Sequence, residues 1–403
     1  MMAMPRLLFV SNLFPDAQKP VWGLDNANVL HGLSADWGIS VIALRPTLRG
    51  CAPFSARPSY QPRREDERFA PRFVPVPYIP KMGSRWNHRL VARRLQPLIE
   101  QLLAGPTPPD VLLCSWLYPD AVGLVRVLRD CRHATTTPKA VLIAQGSDVH
   151  QYLKNPIRRK LILDAIASPE VHGVITRSRN LADRLSAAGA APAKLCPIYN
   201  GVQAPFFRRT AKPEARQSLS LPDSGPICLF VGNLLPVKNP LFLVDAFHEA
   251  FANSDPPATL LLIGTGPLRS AIERRIRQVR LTDRVRLLGT QPPEKVALYL
   301  RACDLLCLSS WNEGFPNVIL EAMASGRPVV STDVGGIREL IQQPPLGTLV
   351  PPDDKSAYVE ALRSTARMAQ DPMLEEHIQQ AAPDLSQETA HQQYHRHLKA
   401  ALR

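Results

Sequence analysis

Asp304-Leu-Leu-Cys-Leu-Ser-Ser310-Trp-Asn-Glu313-Gly-Phe-Pro316-Asn-Val-Ile-Leu-Glu321-Ala-Met-Ala-Ser-Gly326 holds a strand, a loop and a helix in one run. Asp304–Ser310 is apolar and short, which suits a buried strand. Pro316 suits the first helical position, where its missing N–H costs nothing. Gly326 suits the stop. Val318, Ile319, Leu320, Ala322, Met323 and Ala324 leave this helix almost no polar face, so it is expected to be buried. Glu321 is its one charge, and a buried carboxylate needs a partner. That partner is either a structural hydrogen bond or ion pair, or the hydroxyl groups of a ligand. Glu313, at the helix entrance, could accept ligand hydroxyls in the same way. The N–H groups of Phe315, Asn317 and Val318 could receive phosphate oxygens.

The same strand–loop–helix unit recurs on both sides. Strands are expected at Leu7–Ser11, Ile39–Leu44, Val111–Cys114, Ala140–Ala144 and Val171–Thr176, then at Ile227–Val231, Thr259–Ile263, Val285–Leu288, Leu305–Leu308 and Val329–Ser331. Helical patterns lie between them. Such alternation predicts an α/β protein with parallel sheets covered by helices on both faces. The chain has 403 residues, which favours two domains. Two Rossmann-like domains with a cleft between them are expected, with ligands at the carboxyl ends of the strands. The boundary is placed near Asn200–Arg209, dividing residues 1–203 from 204–384. Residues 45–80 are Pro- and Arg-rich with little periodicity. They read as an insertion, either a flexible loop near the cleft or surface decoration.

Composition excludes several classes. No run of 18 apolar residues occurs, so no transmembrane helix is expected, and Met1–Arg6 is not expected to open a signal peptide. The seven cysteines are scattered, and no His lies at zinc-finger spacing. Reduced, mostly buried thiols, no disulfide framework or structural metal, and a cytoplasmic protein are expected. Residues 1–205 hold 26 Lys and Arg against 14 Asp and Glu, while residues 206–403 hold 22 against 21. A basic first half beside a neutral second half suggests different partners, with anionic lipid or an anionic acceptor facing the first.

Other signals are weaker alone. Phe230-Val-Gly-Asn-Leu-Leu-Pro-Val-Lys238-Asn-Pro240 reads as strand, glycine turn and a helix capped by Asn239. A lysine there is either solvated or adds a charge to an anion site. Gly264-Thr-Gly-Pro267 is not a GxGxxG motif and reads as a structural turn. Asp148, in Gln145-Gly-Ser-Asp148, is a loop cap or a cleft carboxylate. Cys114-Ser-Trp-Leu-Tyr-Pro-Asp120 leaves another strand end. Arg85–Glu100 is basic and partly amphipathic. It is either a helix packed on its own sheet or a membrane-surface contact through Trp86 and the arginines.

Together these residues resemble the retaining, GT-B-fold glycosyltransferases of family four. The resemblance covers nearly the whole chain and is strongest over 227–350. It rests on Val231-Gly-Asn-Leu-Leu-Pro-Val-Lys238, Ile263-Gly-Thr-Gly-Pro267, Ala302-Cys-Asp304, Ser310-Trp-Asn-Glu-Gly-Phe-Pro-Asn317, Glu321-Ala-Met-Ala-Ser-Gly-Arg-Pro-Val329 and Val334-Gly-Gly-Ile-Arg-Glu339. Asn200-Gly-Val202 and Gln145-Gly-Ser-Asp148 match in the first half. The resemblance implies that Lys238 holds a donor diphosphate, Glu321 its ribose and Glu313 the transferred sugar. It places Gly314, Phe315, Pro316 and Asn317 against phosphate and sugar, and Gly335–Gly336 nearby. Lys238, Glu313 and Asp148 are the expected catalytic residues, with Gly23 and Asn233 added to the donor contacts. Residues 385–403 would form a C-terminal helix returning to the first domain.

Three positions depart from the family. Asn233 stands where Arg is frequent and cannot supply its charge or fork. Gln145 stands where His or Arg is frequent. The first loop keeps only Gly23 of a usual Gly-Gly pair. The resemblance implies transfer of a hexose-type sugar, with retention, from a nucleotide-diphosphate sugar to a saccharide or lipid-linked acceptor, in cell-surface polysaccharide or glycolipid synthesis. It implies no metal cofactor. No nucleic-acid partner is expected, and a peripheral position at the inner membrane face is one option. A noncatalytic partner subunit and a GT-B-like nucleotide-sugar epimerase are the alternatives. A nicotinamide enzyme is disfavoured, because Val10-Ser-Asn-Leu-Phe-Pro15 replaces the glycine motif after the first strand.

Overall fold

The structure is a computed structural model that describes residues 4–20, 22–48, 60–80, 82–131, 137–203, 206, 211–342, 344–382 and 386–402. Parts of the 45–80 segment and of the expected 200–209 boundary lie outside the described residues. The chain forms two units: Met1–Asn200 with Glu388–Arg403, and Gly201–Gln387.

Unit 1 is built on β1 (Arg6–Ser11), β2 (Gly38–Leu48), β3 (Arg72–Tyr78), β4 (Val111–Ser115), β5 (Lys139–Ala144), β6 (Val171–Thr176) and β7 (Leu195–Pro197). All pairs are parallel, in the order β3-β2-β1-β4-β5-β6-β7. In β1, Leu8 and Val10 enter one core while Leu7 and Phe9 enter the other. This is the two-residue period of a strand, and covering both faces is why its sequence is apolar without alternation. The second core is closed by the C-terminal helix Gln387–Ala400, which contributes Tyr394 and Leu398.

Unit 2 repeats the plan with β8 (Ile227–Val231), β9 (Thr259–Ile263), β10 (Val285–Gly289), β11 (Leu305–Leu308), β12 (Val329–Thr332) and β13 (Gly347–Val350), in the parallel order β10-β9-β8-β11-β12-β13. Leu229, Leu261 and Leu306 face one core, and Cys228, Phe230 and Leu262 the other.

The segment read as an aperiodic insertion is corrected in part. β2 continues to Leu48, and β3 pairs with it from Arg72 to Tyr78. Pro75 and Pro77 hid this strand, but β3 is an edge strand, where a missing N–H is tolerated. Charged anchors also escaped the apolar pattern. Arg45 is buried against Asp16 at 3.0 Å, and Asp66 is fully buried between His31 and Arg63. β7, with three residues, is too short to read, and β13, an edge strand half-buried over Gly347, Thr348 and Leu349, lacks the apolar run that marks β11 and β12.

Helix Asn87–Leu103 packs Val91, Ala92, Leu95 and Ile99 into the unit 1 core. Arg85, Trp86, Arg89, Arg93 and Arg94 stay exposed. Among the described residues, no helix is long and apolar enough to cross a membrane.

Candidate functional site

In each sheet the strand order reverses once, between β1 and β4 and between β8 and β11. Loops leaving the two strands at such a point diverge and open a crevice at their carboxyl ends. In unit 2 these loops are Gly232–Asn239 and Ser309–Pro316, the two segments singled out by sequence.

The structure brings Lys238 and Glu313 together. The Lys238 Nζ donates to both Glu313 oxygens at 2.7 Å. Ser310 Oγ donates to Glu313 Oε1 at 2.6 Å. The Glu313 side chain is 6% exposed and that of Lys238 26%. A carboxylate offers about four acceptor positions, so three are filled and one remains. An ammonium has three protons, so one remains after the two given to Glu313. Glu313 therefore orients Lys238 and is less open to a ligand than its place in the loop suggested.

Serines tie the two loops together. Ser309 Oγ donates to the Lys238 and Asn239 carbonyls at 3.1 and 3.0 Å, and the Trp311 N–H donates to the Val237 carbonyl at 2.8 Å. Thr332, ending β12, donates to the Ser310 carbonyl at 2.6 Å. Gly335 is required beneath: a Cβ there would lie 1.8 Å from the Glu313 carbonyl oxygen. Ser309, Ser310 and Thr332 were not singled out from sequence. Their signal was polarity directly after an apolar strand.

Three local expectations need correction. Asn239 does not cap the helix Pro240–Phe251 through its side chain. Its backbone is left-handed, with φ 49°, because the chain turns sharply from the 3-10 turn Pro236–Lys238 into the helix. The other helix starts at Asn317, with Pro316 outside it in an extended conformation. Glu321 is half-buried, not buried, since this helix turns Val318 and Glu321 partly outward while Ile319, Leu320, Ala322 and Met323 enter the core. Gly314, Phe315 and Asn317 are half-buried and Pro316 is buried. Asn233 is exposed on the loop after β8. Gly264–Gly266 supports that loop: Leu234 N donates to the Thr265 carbonyl at 2.9 Å, and a Cβ at Gly264 would lie 1.9 Å from the Gly232 carbonyl oxygen.

Gly23, Gln145 and Asp148 lie in unit 1. Gly23 has φ 75° and precedes helix Leu24–Leu33. A Cβ there would lie 2.2 Å from the Leu13 carbonyl carbon, so its role in the structure is close backbone packing. Asp148 is fully buried and accepts N–H bonds from Leu117, Gln145 and Gly146 at 2.8–3.3 Å. It holds the ends of β4 and β5 in place. Burial raises its pKa against the pull of those N–H groups. Gln145 Nε2 donates to Asn26 Oδ1 at 2.8 Å and Ser115 Oγ at 2.7 Å. Behind it lies Arg177, 1% exposed, which donates to Gln145, Asn26 and Asn200 and sits over the Tyr394 ring. Arg177 was missed, and its signal was a charge directly after β6. It gives neutral Gln145 a cationic neighbour.

Asp120, also buried, accepts the Asn12 N–H at 2.6 Å across the β1–β4 reversal. Burial pushes its pKa up to about 7. A pKa raised on folding stabilises fully below the unfolded value and is lost as pH rises through the folded one. Asp120→Asn should therefore flatten the fall in unit 1 stability between about pH 4 and pH 7, read from urea midpoints. An unchanged slope would mean that Asp120 does not titrate there.

Residues 211–384 match the family model described as glycosyl transferases group 1. A D-inositol 3-phosphate glycosyltransferase of Nocardia farcinica is 30% identical over 57% of this chain and 51% of its own length, so the chain spans about half of that relative. A Bacillus subtilis glycosyltransferase provisionally named for teichuronic acid biosynthesis is 26% identical over 89% of this chain and 88% of its own. In fold, the Anabaena HepE protein in complex with UDP superposes with a TM-score of 0.75 at 18% identity, covering 98% of this chain and 100% of its own.

Proposed function

We propose that this chain, a GT-B protein whose residues 211–384 belong to the group 1 glycosyltransferases, moves a sugar from a nucleotide-diphosphate sugar to an acceptor hydroxyl with retention. The observation that carries the reading is Lys238, held by Glu313 at the carboxyl-end reversal of the unit 2 sheet. As the sugar–oxygen bond breaks, negative charge builds on the diphosphate. A fixed ammonium and the helix entrance at Asn317 would stabilise it. Glu321 would take the ribose hydroxyls. Glu313 would use its remaining acceptor position for the sugar. Gly314, Phe315, Pro316, Asn317 and Asn233 would line the donor. Asp148 and Gly23 would shape the unit 1 loops.

No enzymatic nucleophile is marked by motif, so attack from the face the diphosphate leaves is the simpler route. The departing phosphate would take the acceptor proton. Lys238 and the helix entrance would then do the work a metal ion does elsewhere, and activity should survive EDTA. The decisive experiment is incubation with a panel of nucleotide-diphosphate sugars and saccharide acceptors, following nucleotide release and product anomer. Binding without release or transfer would favour a noncatalytic partner subunit, a reading that exposed, neutral Asn233 supports.

The resemblance and the basic first half favour an acceptor for cell-surface polysaccharide or glycolipid. We place the protein at the inner membrane face, through Met82 (84% exposed), Trp86 (52% exposed) and the neighbouring arginines. Failure to sediment with phosphatidylglycerol vesicles would sink this placement.

A further inference from the structure

Trp116 directly follows β4, at the carboxyl edge of the unit 1 sheet. Its backbone has φ 79° and ψ 102°, a conformation costly for a side chain with a Cβ. The strain is held in place: the Trp116 N–H donates to the Ile143 carbonyl at 3.1 Å, and the Ala121 N–H donates to the Trp116 carbonyl at 3.2 Å. The result is an indole that stays half-buried and meets Tyr152 edge to face, with centroids 6.0 Å apart. Tyr152 is half-buried too, and meets buried Tyr118 edge to face at 6.1 Å.

Arg158 lies over this cluster. Its guanidinium carbon is 4.4 Å from the Tyr152 centroid and 5.3 Å from that of Tyr118. Its Nε donates to Ser84 Oγ at 2.9 Å. Ser84 is itself fixed, because Tyr118 Oη donates to the Gly83 and Ser84 carbonyls at 3.0 Å. One edge of the guanidinium is thus tethered and its carbon sits over two rings. Its terminal nitrogens are not in any ion pair among the described residues, although Arg158 is half-buried in a protein that pairs most such groups. Arg177, more deeply buried, is satisfied by three amides. Among the described residues, Ser84 Oγ is the one hydrogen-bond acceptor of the Arg158 side chain.

We infer that Trp116, Tyr152 and Arg158 form an acceptor subsite for a saccharide ring bearing an anionic group, either a carboxylate or a phosphate. Aromatic faces suit the apolar face of a sugar ring, as in many ligand sites. A pre-aimed guanidinium fork suits two oxygens of one anion. The excess of positive charge in residues 1–205 points the same way. Calling the ligand an acceptor rests on the glycosyl-transfer reading. The subsite itself does not.

The test is direct binding by saturation-transfer NMR to the full protein, with UDP present so that phosphate probes do not enter the donor site. The probes are methyl β-D-glucuronide, glucose 1-phosphate and methyl β-D-glucoside. At least one anionic probe should bind about tenfold or more tighter than the neutral one, the scale of a charge-assisted hydrogen bond. Whichever anionic probe wins identifies carboxylate or phosphate. Arg158→Gln should abolish the preference with an unchanged melting curve. Arg158→Lys, the fallback if the glutamine variant melts early, should reduce it. Tyr152→Ala should weaken all three probes alike. Equal affinity for charged and neutral probes, or a preference that survives both Arg158 variants, overturns the subsite. Absence of binding by every nucleotide diphosphate of the donor panel, with the anionic preference intact, would count against the donor reading alone.

Discussion

Lys238→Ala should lower sugar transfer by about 10²–10³-fold, the usual effect of removing one preorganised donor from a developing oxyanion. The geometry makes the loss hard to rescue, because exposed Asn233 brings no second cation to that loop. The same substitution strands Glu313, whose oxygens would keep only Ser310 among the described residues. Breaking a fully buried pair costs about 3–5 kcal/mol. Lys238 is about a quarter exposed, so a loss nearer 1–2 kcal/mol is expected here. Lys238→Ala combined with Glu313→Gln should recover most of that stability, since no charge is left unpaired, and none of the transfer. Turnover with the donor identified by the panel, beside urea midpoints for both variants, separates the effects. Transfer within a fewfold of wild type in the single variant would remove Lys238 from the site.

Asp304→Ala should produce the largest loss of stability without touching the donor. Asp304 accepts from Lys212 Nζ at 2.9 Å, Arg216 Nη2 at 2.7 Å and the Ile227 N–H at 2.7 Å. It thereby pins helix Lys212–Ser218 and the start of β8 to β11. Arg216 is 5% exposed, and alanine would leave it buried with only carbonyl acceptors. A loss of about 3–5 kcal/mol in unit 2 is expected, with Asp304→Asn intermediate because it keeps an acceptor for Ile227. Asp304 precedes β11 whereas Glu313 follows it, and the strand's four residues span about 13 Å. Affinity of the folded variant for the nucleotide identified by the donor panel should therefore be unchanged. Weakened nucleotide binding by the variant while it is still folded would mean that the two ends of β11 are coupled.

Asp304 also shows how motif and role can part. It belongs to the run Ala302-Cys-Asp304 that carried the resemblance, yet its partners make it an anchor of the fold. Asp148 is similar. From sequence it was either a loop cap or a cleft carboxylate, and its oxygens are taken up by N–H groups of Leu117, Gln145 and Gly146. Glu321, which looked like the lone charge on a buried helix, lies on that helix's partly open side.

The two parallel sheets, the alternation of strand and helix along the chain, and the pairing of the Lys238 and Glu313 loops on one sheet were legible in the sequence. A strand covered on both faces must be apolar throughout, and glycine or proline must mark the loops that leave it. These are local demands, and they act on neighbours in the chain. What Lys238 bonds to, whether Glu321 is enclosed, and which residue stands behind Gln145 were decided only by the tertiary structure. So were the edge strand β3 with its two prolines and the tether of Arg158 to Ser84. Each depends on a partner between 30 and 120 residues away, or on which side of a helix meets solvent. Periodicity carries no information about such partners, because burial of a polar group is settled by what reaches it through space.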